Sequence, residues 1–359
     1  MGGDRVAAHP LRALPTPFLM AGFPPGSRGS GSRCGHGPPR GQWEGRPELP
    51  PVAGWFGRTE REDPTGRADA KGWGVVLRVV LLGTAASGGF PRWNCACVRC
   101  DAARDGKLPA RGPECAAVTG NSRDWWLLNA SPDIRDRLTA APALWPGPRH
   151  TPVRGVLLTD AEPDHVAGLA VLRDAARLKT YAAPPVLAAL APARAGLDRH
   201  APWEWADSLT EGGFVLAGGL VVTAHPVPGK PPAYVPGRST DRRWVTVYRI
   251  EDLATGRVLV YAPRVSAWSG LLEDLVADAD GVVLDGTHFA ADETGDTGRH
   301  LPVSGPTGSL TALARHPGVR RIYTHLADSN PLLNPASTAR AQVSETGTEV
   351  LPDGTEFAL

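Results

Sequence analysis

The 359-residue sequence has no excess of one charge and no long apolar run, and each absence excludes a class of protein. Its 38 basic and 37 acidic residues leave a formal net charge of +1, so the bulk charge does not favour nucleic acid or an anionic membrane as a partner. No stretch approaches the roughly 18 consecutive apolar residues of a membrane span. The most apolar N-terminal stretch is interrupted by Pro15 and Pro17, so it does not resemble a signal peptide. We therefore expect a cytoplasmic protein without a membrane or nucleic-acid partner.

Cysteine is also scarce, and the five that occur are poorly spaced for a disulfide framework. Three of them, Cys95, Cys97 and Cys100, lie within one short segment, which is typical of a metal site. Thiolates at this spacing can converge on one tetrahedral ion, and zinc is the usual ion in such a site. The alternative is a set of buried free cysteines, which the surrounding Gly- and Pro-rich loop disfavours. The sequence predicts a structural zinc whose fourth ligand comes from elsewhere in the chain.

Glycine and proline are plentiful, with 42 and 36 residues respectively, and much of the excess lies at the front of the chain. No helical or strand period persists over residues 1–76, where arginine is also scattered. Such a segment cannot bury enough apolar surface to offset the entropy of ordering it. We predict that residues 1–76 are a disordered extension or the product of a mis-annotated start. The folded domain is then expected to span residues 77–359.

From Leu77 onward, apolar runs rich in β-branched residues alternate with helical stretches. The runs that predict strands are Leu77–Leu82, Trp125–Leu128, Val153–Leu158, Gly219–Ala224, Val258–Tyr261, Gly281–Asp285 and Arg321–Thr324. Helical stretches are predicted over His165–Leu178, Leu271–Ala279 and Ser309–Arg315. Seven or more strands with interspersed helices predict an α/β sandwich.

Polar side chains gather where the predicted strands end, which is where α/β folds build their sites. Asp160, Glu162, Asp164 and His165 follow one strand directly and lead into a predicted helix. They are candidate metal ligands, although acids at a helix start also serve as caps, and the residues alone leave both readings open. Further candidates at strand ends and in a glycine-containing loop are Asp285, His300, Ser304 and His325.

Several of these segments resemble the pyrroloquinoline quinone (PQQ) biosynthesis protein B family. The resemblance is carried by Leu82–Cys100, Leu158–Leu169 and Tyr323–Pro331, and it covers residues 77–359 but none of residues 1–75. It implies an αββα metallo-β-lactamase sandwich, in which two mixed β-sheets are flanked by helices. It also implies a role in PQQ biosynthesis.

The acidic motif departs from the superfamily signature His-x-His-x-Asp-His in a way that bears on chemistry. Asp160 and Glu162 stand where the two histidines would be, whereas Asp164 and His165 match. Lys230 replaces a further histidine ligand, and the metal-bridging aspartate has no counterpart. A hydrolase that activates water between two ions is therefore disfavoured, although a metal-dependent hydrolase stays an alternative.

Asp164, His165 and His325 remain as a carboxylate with two histidines, which is the ligand set of non-haem Fe(II) oxygenases. The resemblance implies Fe²⁺- and O₂-dependent hydroxylation of the tyrosine-derived ring of a Glu-Tyr-derived PQQ precursor. A non-catalytic PQQ carrier is the other alternative, in which Lys230 and Arg264 would pair with the quinone carboxylates. The expected partners are the precursor or PQQ itself, with a homodimer as the expected assembly.

Two further expectations accompany the resemblance. Lys230, Ser304 and Asp285 are candidate contacts for the bound cofactor. Where the family usually has Asn-Asn after the strand-end histidine, this chain has Ala327-Asp328. Asp328 is therefore an open candidate for the fourth ligand of the structural zinc.

Overall fold

Strands arranged in two seven-stranded sheets dominate the computed structural model, which describes residues 76–148, 151–175, 177–237, 239–291 and 299–359. The first sheet contains β1 (Arg78–Gly83), β2 (Cys115–Thr119), β3 (Trp125–Leu128), β4 (Val153–Leu157), β5 (Lys179–Ala182), β6 (Glu204–Asp207) and β14 (Glu356–Ala358). The second contains β7 (Phe214–Leu216), β8 (Leu220–Val227), β9 (Val245–Asp252), β10 (Val258–Ala262), β11 (Gly281–Asp285), β12 (Arg320–Thr324) and β13 (Thr348–Glu349). The predicted extension over residues 1–76 falls almost wholly outside the described residues.

Short helices connect these strands. They are α1 (Val98–Arg104), α2 (Ile134–Ala140), α3 (Pro163–Val166), α4 (Pro184–Ala189), α5 (Ala191–Leu197), α6 (Gly270–Ala277), α7 (Ser309–Leu313) and α8 (Thr338–Glu345). Within the described part of the chain, no helix is both long enough and apolar enough to cross a membrane.

Alternation of side chains along the strands builds four layers. In β1, Val79 and Leu81 pack into the core between the two sheets, whereas Val80 and Leu82 pack into a second core shared with α2, α4 and α5. Successive side chains of a strand point to opposite faces, so one buried strand supplies two cores. A third core lies between the second sheet and α6, α7 and α8. The predicted αββα sandwich of two mixed sheets is confirmed.

The carboxyl ends of parallel strands place the polar motifs together. Strands β3, β4, β5 and β6 run parallel to one another, as do β10, β11, β12 and β13. The segment after β4 carries Asp160, the end of β11 carries Asp285, and the residue after β12 is His325. The loops that follow these strands form the site, as in other α/β folds.

The predicted helix over His165–Leu178 is wrong in type and length. Only Pro163–Val166 is α-helical, and Ala167–Asp174 forms a 3-10 helix. The reason is competition for backbone hydrogen bonds, because the His165 carbonyl accepts from Ala130 N (2.7 Å) and Gly168 N donates to Ala130 O (2.9 Å). The loop after β3 thus takes bonds that a regular helix would make internally.

Candidate functional site

Three buried side chains bring their metal-binding atoms together at the carboxyl ends of the strands. Asp164 and His165 lie on α3, and His325 follows β12. Asp164 Oδ2 lies 3.7 Å from His165 Nε2 and 3.4 Å from His325 Nε2. Tetrahedral nitrogen and oxygen ligands of a zinc-sized ion lie about 3.3 Å apart, so the three atoms fit one ion after a small contraction.

The proton on His165 is fixed by its neighbours. His165 Nδ1 lies 2.9 Å and 3.0 Å from the two carboxylate oxygens of Asp160. An ionised carboxylate only accepts, so Nδ1 must donate. Nε2 then carries a lone pair, and in the structure this buried atom has no hydrogen-bond partner. A carboxylate that orients a metal-binding histidine in this way is a common feature of metal sites.

The proton on His325 is fixed by a relay through Thr287. The Thr287 hydroxyl donates to Asp285 Oδ1 (2.6 Å) and therefore accepts from His325 Nδ1 (2.7 Å). Nε2 of His325 is left as a lone pair facing Asp164. His325 also adopts a left-handed backbone conformation with φ 58°, which is unfavourable for a non-glycine residue and concentrates at functional sites.

Three acceptor atoms thus converge without a donor among them, which is an arrangement that needs a cation. In an ion-free protein a proton serves instead. Burial alone would lower the pKa of His165, but Asp160 and Asp164 outweigh it and raise that pKa to about 10. Burial would likewise raise the pKa of Asp164, but His165 and His325 lower it to about 2.

A second group of candidate ligands shares His325. Asp285, His300 and His325 also have ligand atoms within 4.8 Å of one another. His300 Nδ1 lies 2.8 Å from Asp285 Oδ2, and the His300 ring stacks on His325 with centroids 5.3 Å apart. Asp285 additionally accepts from Val265 N (2.9 Å), so its carboxylate orients the histidines and the loop after β10.

Glu114, a buried acid close to His165, was not predicted from the sequence. Glu114 is 1% exposed, and its Oε2 lies 3.7 Å from His165 Nε2 and accepts from Asn129 Nδ2 (2.9 Å). Its other oxygen accepts from the hydroxyl of Tyr261. Burial raises the pKa of Glu114 to about 7. A lone acid directly before the apolar run of β2 was the signal that could have identified it.

The remaining acids of the motif pair with an arginine that sequence reasoning had assigned elsewhere. Arg264 is 3% exposed, and its Nη2 lies 3.0 Å from Glu162 Oε1 while its Nη1 lies 3.6 Å from Asp160 Oδ2. The guanidinium is therefore engaged inside the protein. Lys230 is exposed, and its carbonyl lies 3.4 Å from Arg264 Nη2.

Ser304 has a structural hydrogen bond, since its hydroxyl donates to Phe289 O (2.7 Å). This bond joins the segment before α7 to the segment that follows β11, and the next residue, Gly305, has φ 94°. Within the described part of the chain, this hydrogen-bond partner lies outside the Asp164 cluster.

The cysteine motif forms a separate cluster at the start of α1. The ligand atoms of Cys95, Cys97, Cys100 and Asp328 all lie within 4.8 Å of one another. Thiolates around a tetrahedral zinc lie about 3.8 Å apart, so the donor set fits this ion. Burial raises the pKa of Cys100 to about 12, whereas the Cys100 backbone N–H lowers that of Cys97.

A cleft of about 400 Å³ reaches Asp164 from the surface. Its wall includes the loop after β1, where Gly88 and Gly89 have φ of 87° and 69°. Arg111 and Arg137 also line the cleft. The volume is in the range of small-molecule sites.

The chain is similar in sequence and in structure to known proteins. Residues 124–326 match the family model described as the β-lactamase superfamily domain. The chain is 39% identical to coenzyme PQQ synthesis protein B of Cupriavidus necator and 36% identical to that of Methylobacterium nodulans, over 79% of this chain and all of each relative. The crystal structure of Zn²⁺-bound PqqB from Methylobacterium extorquens is 34% identical, with a TM-score of 0.73, over 79% of this chain and all of that one. A diphosphatase of the PhnP family, 17% identical with a TM-score of 0.59, shares the fold.

Proposed function

This chain belongs to the coenzyme PQQ synthesis protein B family, and we propose that it hydroxylates the tyrosine-derived ring of a PQQ precursor, using Fe²⁺ held by Asp164, His165 and His325. The family resemblance drawn from the sequence is thereby confirmed at the level of PQQ biosynthesis. The reaction, the iron and the substrate are the proposal.

The observation that carries the proposal is the buried lone pair of His165 Nε2, which faces a carboxylate and a second imidazole lone pair. Removing such an atom from water without a partner is costly, so the arrangement favours a positive charge at its centre, either a bound cation or, in the ion-free protein, a proton on His165. One carboxylate and two imidazoles leave coordination positions open for other ligands. Fe²⁺ held by these residues would supply the activation of O₂ that ring hydroxylation requires, and a two-electron reductant added to the reaction would reduce the second oxygen atom to water.

The protein side chains orient the site and hold protons at defined atoms. Asp160 keeps the proton of His165 on Nδ1, and Thr287 keeps that of His325 on Nδ1. Glu114 Oε2 lies 3.7 Å from His165 Nε2, the atom proposed to bind the ion, and it can take up or release a proton near neutral pH because burial raises its pKa to about 7. The cleft that reaches Asp164 admits the precursor.

The cysteine cluster is proposed to hold a structural zinc ion. Three thiolates and the carboxylate of Asp328 make a closed four-ligand site, and the related M. extorquens protein is a zinc-bound structure. Asp328 lies three residues after His325, so this ion would also fix the loop that carries an active-site ligand. The two sites are therefore mechanically linked.

The test is metal analysis and oxygen uptake on the full chain purified without oxygen. We expect one zinc and, after Fe²⁺ reconstitution, one iron per chain, with oxygen uptake that depends on the precursor. Asp164→Ala should lose the iron and the uptake but keep the zinc, whereas His200→Ala, an exposed histidine, should keep all three.

Tight PQQ binding that survives Asp164→Ala, without oxygen uptake by the wild type, would instead support the carrier. Hydrolysis of a phosphodiester or lactone by the zinc-loaded protein would support the hydrolase.

A further inference from the structure

The acidic motif after β4 has two parts: Asp164 belongs to the proposed ion site, whereas Asp160 and Glu162 lie beside the positively charged side chain of Arg264. We infer that the guanidinium of Arg264 occupies this second part permanently and so restricts the centre to the ion held by Asp164, His165 and His325. The inference rests on the proposed single-ion site and adds a residue that decides how many ions the centre accepts.

The pairing has the burial and the contacts of a fixed cation. Arg264 is 3% exposed and Asp160 is fully buried. Arg264 Nη2 lies 3.0 Å from Glu162 Oε1, whereas Nη1, which makes no hydrogen bond, lies 3.6 Å from Asp160 Oδ2. Arg299 Nη1 adds a second positive group 3.5 Å from the same Glu162 oxygen. A guanidinium stays charged in a protein, so the positive partner of these carboxylates is permanent.

The neighbouring charges show why a cation is required there. Asp160 and Glu162 lie in the same motif as Asp164, and the field of all three carboxylates bears on Arg264. Buried carboxylates without a counter-charge are strongly destabilising. Among the described residues, the groups of potential metal ligands contain Asp164 and Asp285 but neither Asp160 nor Glu162. The two parts of the acidic motif therefore differ: a side chain neutralises one, and the other belongs to the ligand set proposed to hold an ion.

If the guanidinium is the counter-charge, its removal leaves a site for a second divalent ion. Carboxylate oxygens are hard ligands, which suit Mn²⁺. Arg264→Met keeps much of the side-chain volume and removes the charge and the donors. Arg264→Lys keeps the charge and is the matched control.

The experiment is equilibrium dialysis of the full-length protein against Mn²⁺, followed by metal analysis and electron paramagnetic resonance. We expect Arg264→Met to hold one more Mn²⁺ than the wild type and to show the broadened signal of two coupled ions. Arg264→Lys should match the wild type. The double variant Arg264→Met with Glu162→Gln should return to the wild-type count. A folded Arg264→Met protein with the wild-type count overturns the inference.

A second variant decides the matter if Arg264→Met does not fold, even with Mn²⁺ present. Glu162→Gln in the wild-type background should keep the wild-type Mn²⁺ count, because the carboxylate is paired with arginine and not with an ion. Loss of one Mn²⁺ from Glu162→Gln would overturn the inference. The proposed single-ion site is tested separately with Asp164→Asn. If this variant binds as much Mn²⁺ as the wild type, the site at Asp164, His165 and His325 is wrong, whatever the result for Arg264.

Discussion

Replacing Asp160 with asparagine should weaken metal binding at a residue that does not itself touch the ion. The carboxylate receives the Nδ1 proton of His165 at 2.9 Å and the backbone N–H of Glu162 at 2.8 Å. An amide keeps one acceptor oxygen, but its NH₂ group then faces a donor, either His165 or Arg264. His165 is therefore held less firmly in the tautomer that points its lone pair at the ion.

The size of the effect follows from these contacts. Loss of a carboxylate that orients a metal-binding histidine costs about 10- to 100-fold in metal affinity, or about 1.4 to 2.7 kcal/mol. The variant also leaves a buried arginine with one carboxylate fewer, and breaking a buried ion pair costs about 3–5 kcal/mol of folding stability. Glu162 still contacts Arg264, so we expect the lower end of that range.

The assay is Mn²⁺ affinity by calorimetry, with urea unfolding of the metal-free protein alongside. Asp252→Asn is the control, because Asp252, the last residue of β9, is 1% exposed and accepts from Thr255 Oγ1 at 2.6 Å. It should lose stability without losing metal affinity. A folded Asp160→Asn protein whose Mn²⁺ affinity stays within twofold of the wild type would refute the role given to Asp160.

Three other predictions address parts of the fold around the site. Cys97→Ser should remove the zinc from the cysteine cluster and lower the melting temperature, and a variant that keeps one zinc per chain by metal analysis would contradict this assignment. Arg315 hydrogen bonds to Glu273 and holds its pKa at about 2, below the ordinary 4.5, so this contribution to stability is complete above pH 4.5 and lost as pH falls through 2. Urea unfolding should show Glu273→Gln less stable by under about 1 kcal/mol at pH 7, because the pair is partly solvated, with the gap closing in acid. Gly155→Ala would place Cβ 2.0 Å from a carbonyl oxygen of β5 and should cost at least about 1–3 kcal/mol, whereas Gly196→Ala, which meets no atom within 4 Å, should be neutral in the same denaturation assay.

Strands were the most predictable part of the fold. The β-branched runs at Val153–Leu157 and Gly281–Asp285 are buried on both faces, and such runs read as strands without any partner. Strand β2, Cys115–Thr119, was missed because its alanines have little strand preference, and it forms through pairing with β1 and β3. Tertiary context therefore decided what local sequence left open.

The candidate site was predictable as a set of residues but not as a set of pairings. Strand ends and the acidic motif located Asp164, His165 and His325, since polar residues gather at the carboxyl ends of parallel strands. Arg264 and Glu114 come from distant parts of the chain, and only folding shows that one neutralises the motif and the other lies under a histidine. An ion pair between residues that are distant in the sequence produces no local sequence pattern, so it could not be predicted.

The first sheet closes with the last strand of the chain, because Arg78 of β1 pairs with Ala358 of β14. During synthesis on the ribosome, this edge of β1 stays unpaired until β14 has emerged. An open, apolar strand edge is a template for pairing with other chains, and contacts so distant in sequence form slowly. We therefore expect the first sheet to close only after β14 has emerged, and a nascent chain that stalls before β14 to be captured by aggregation.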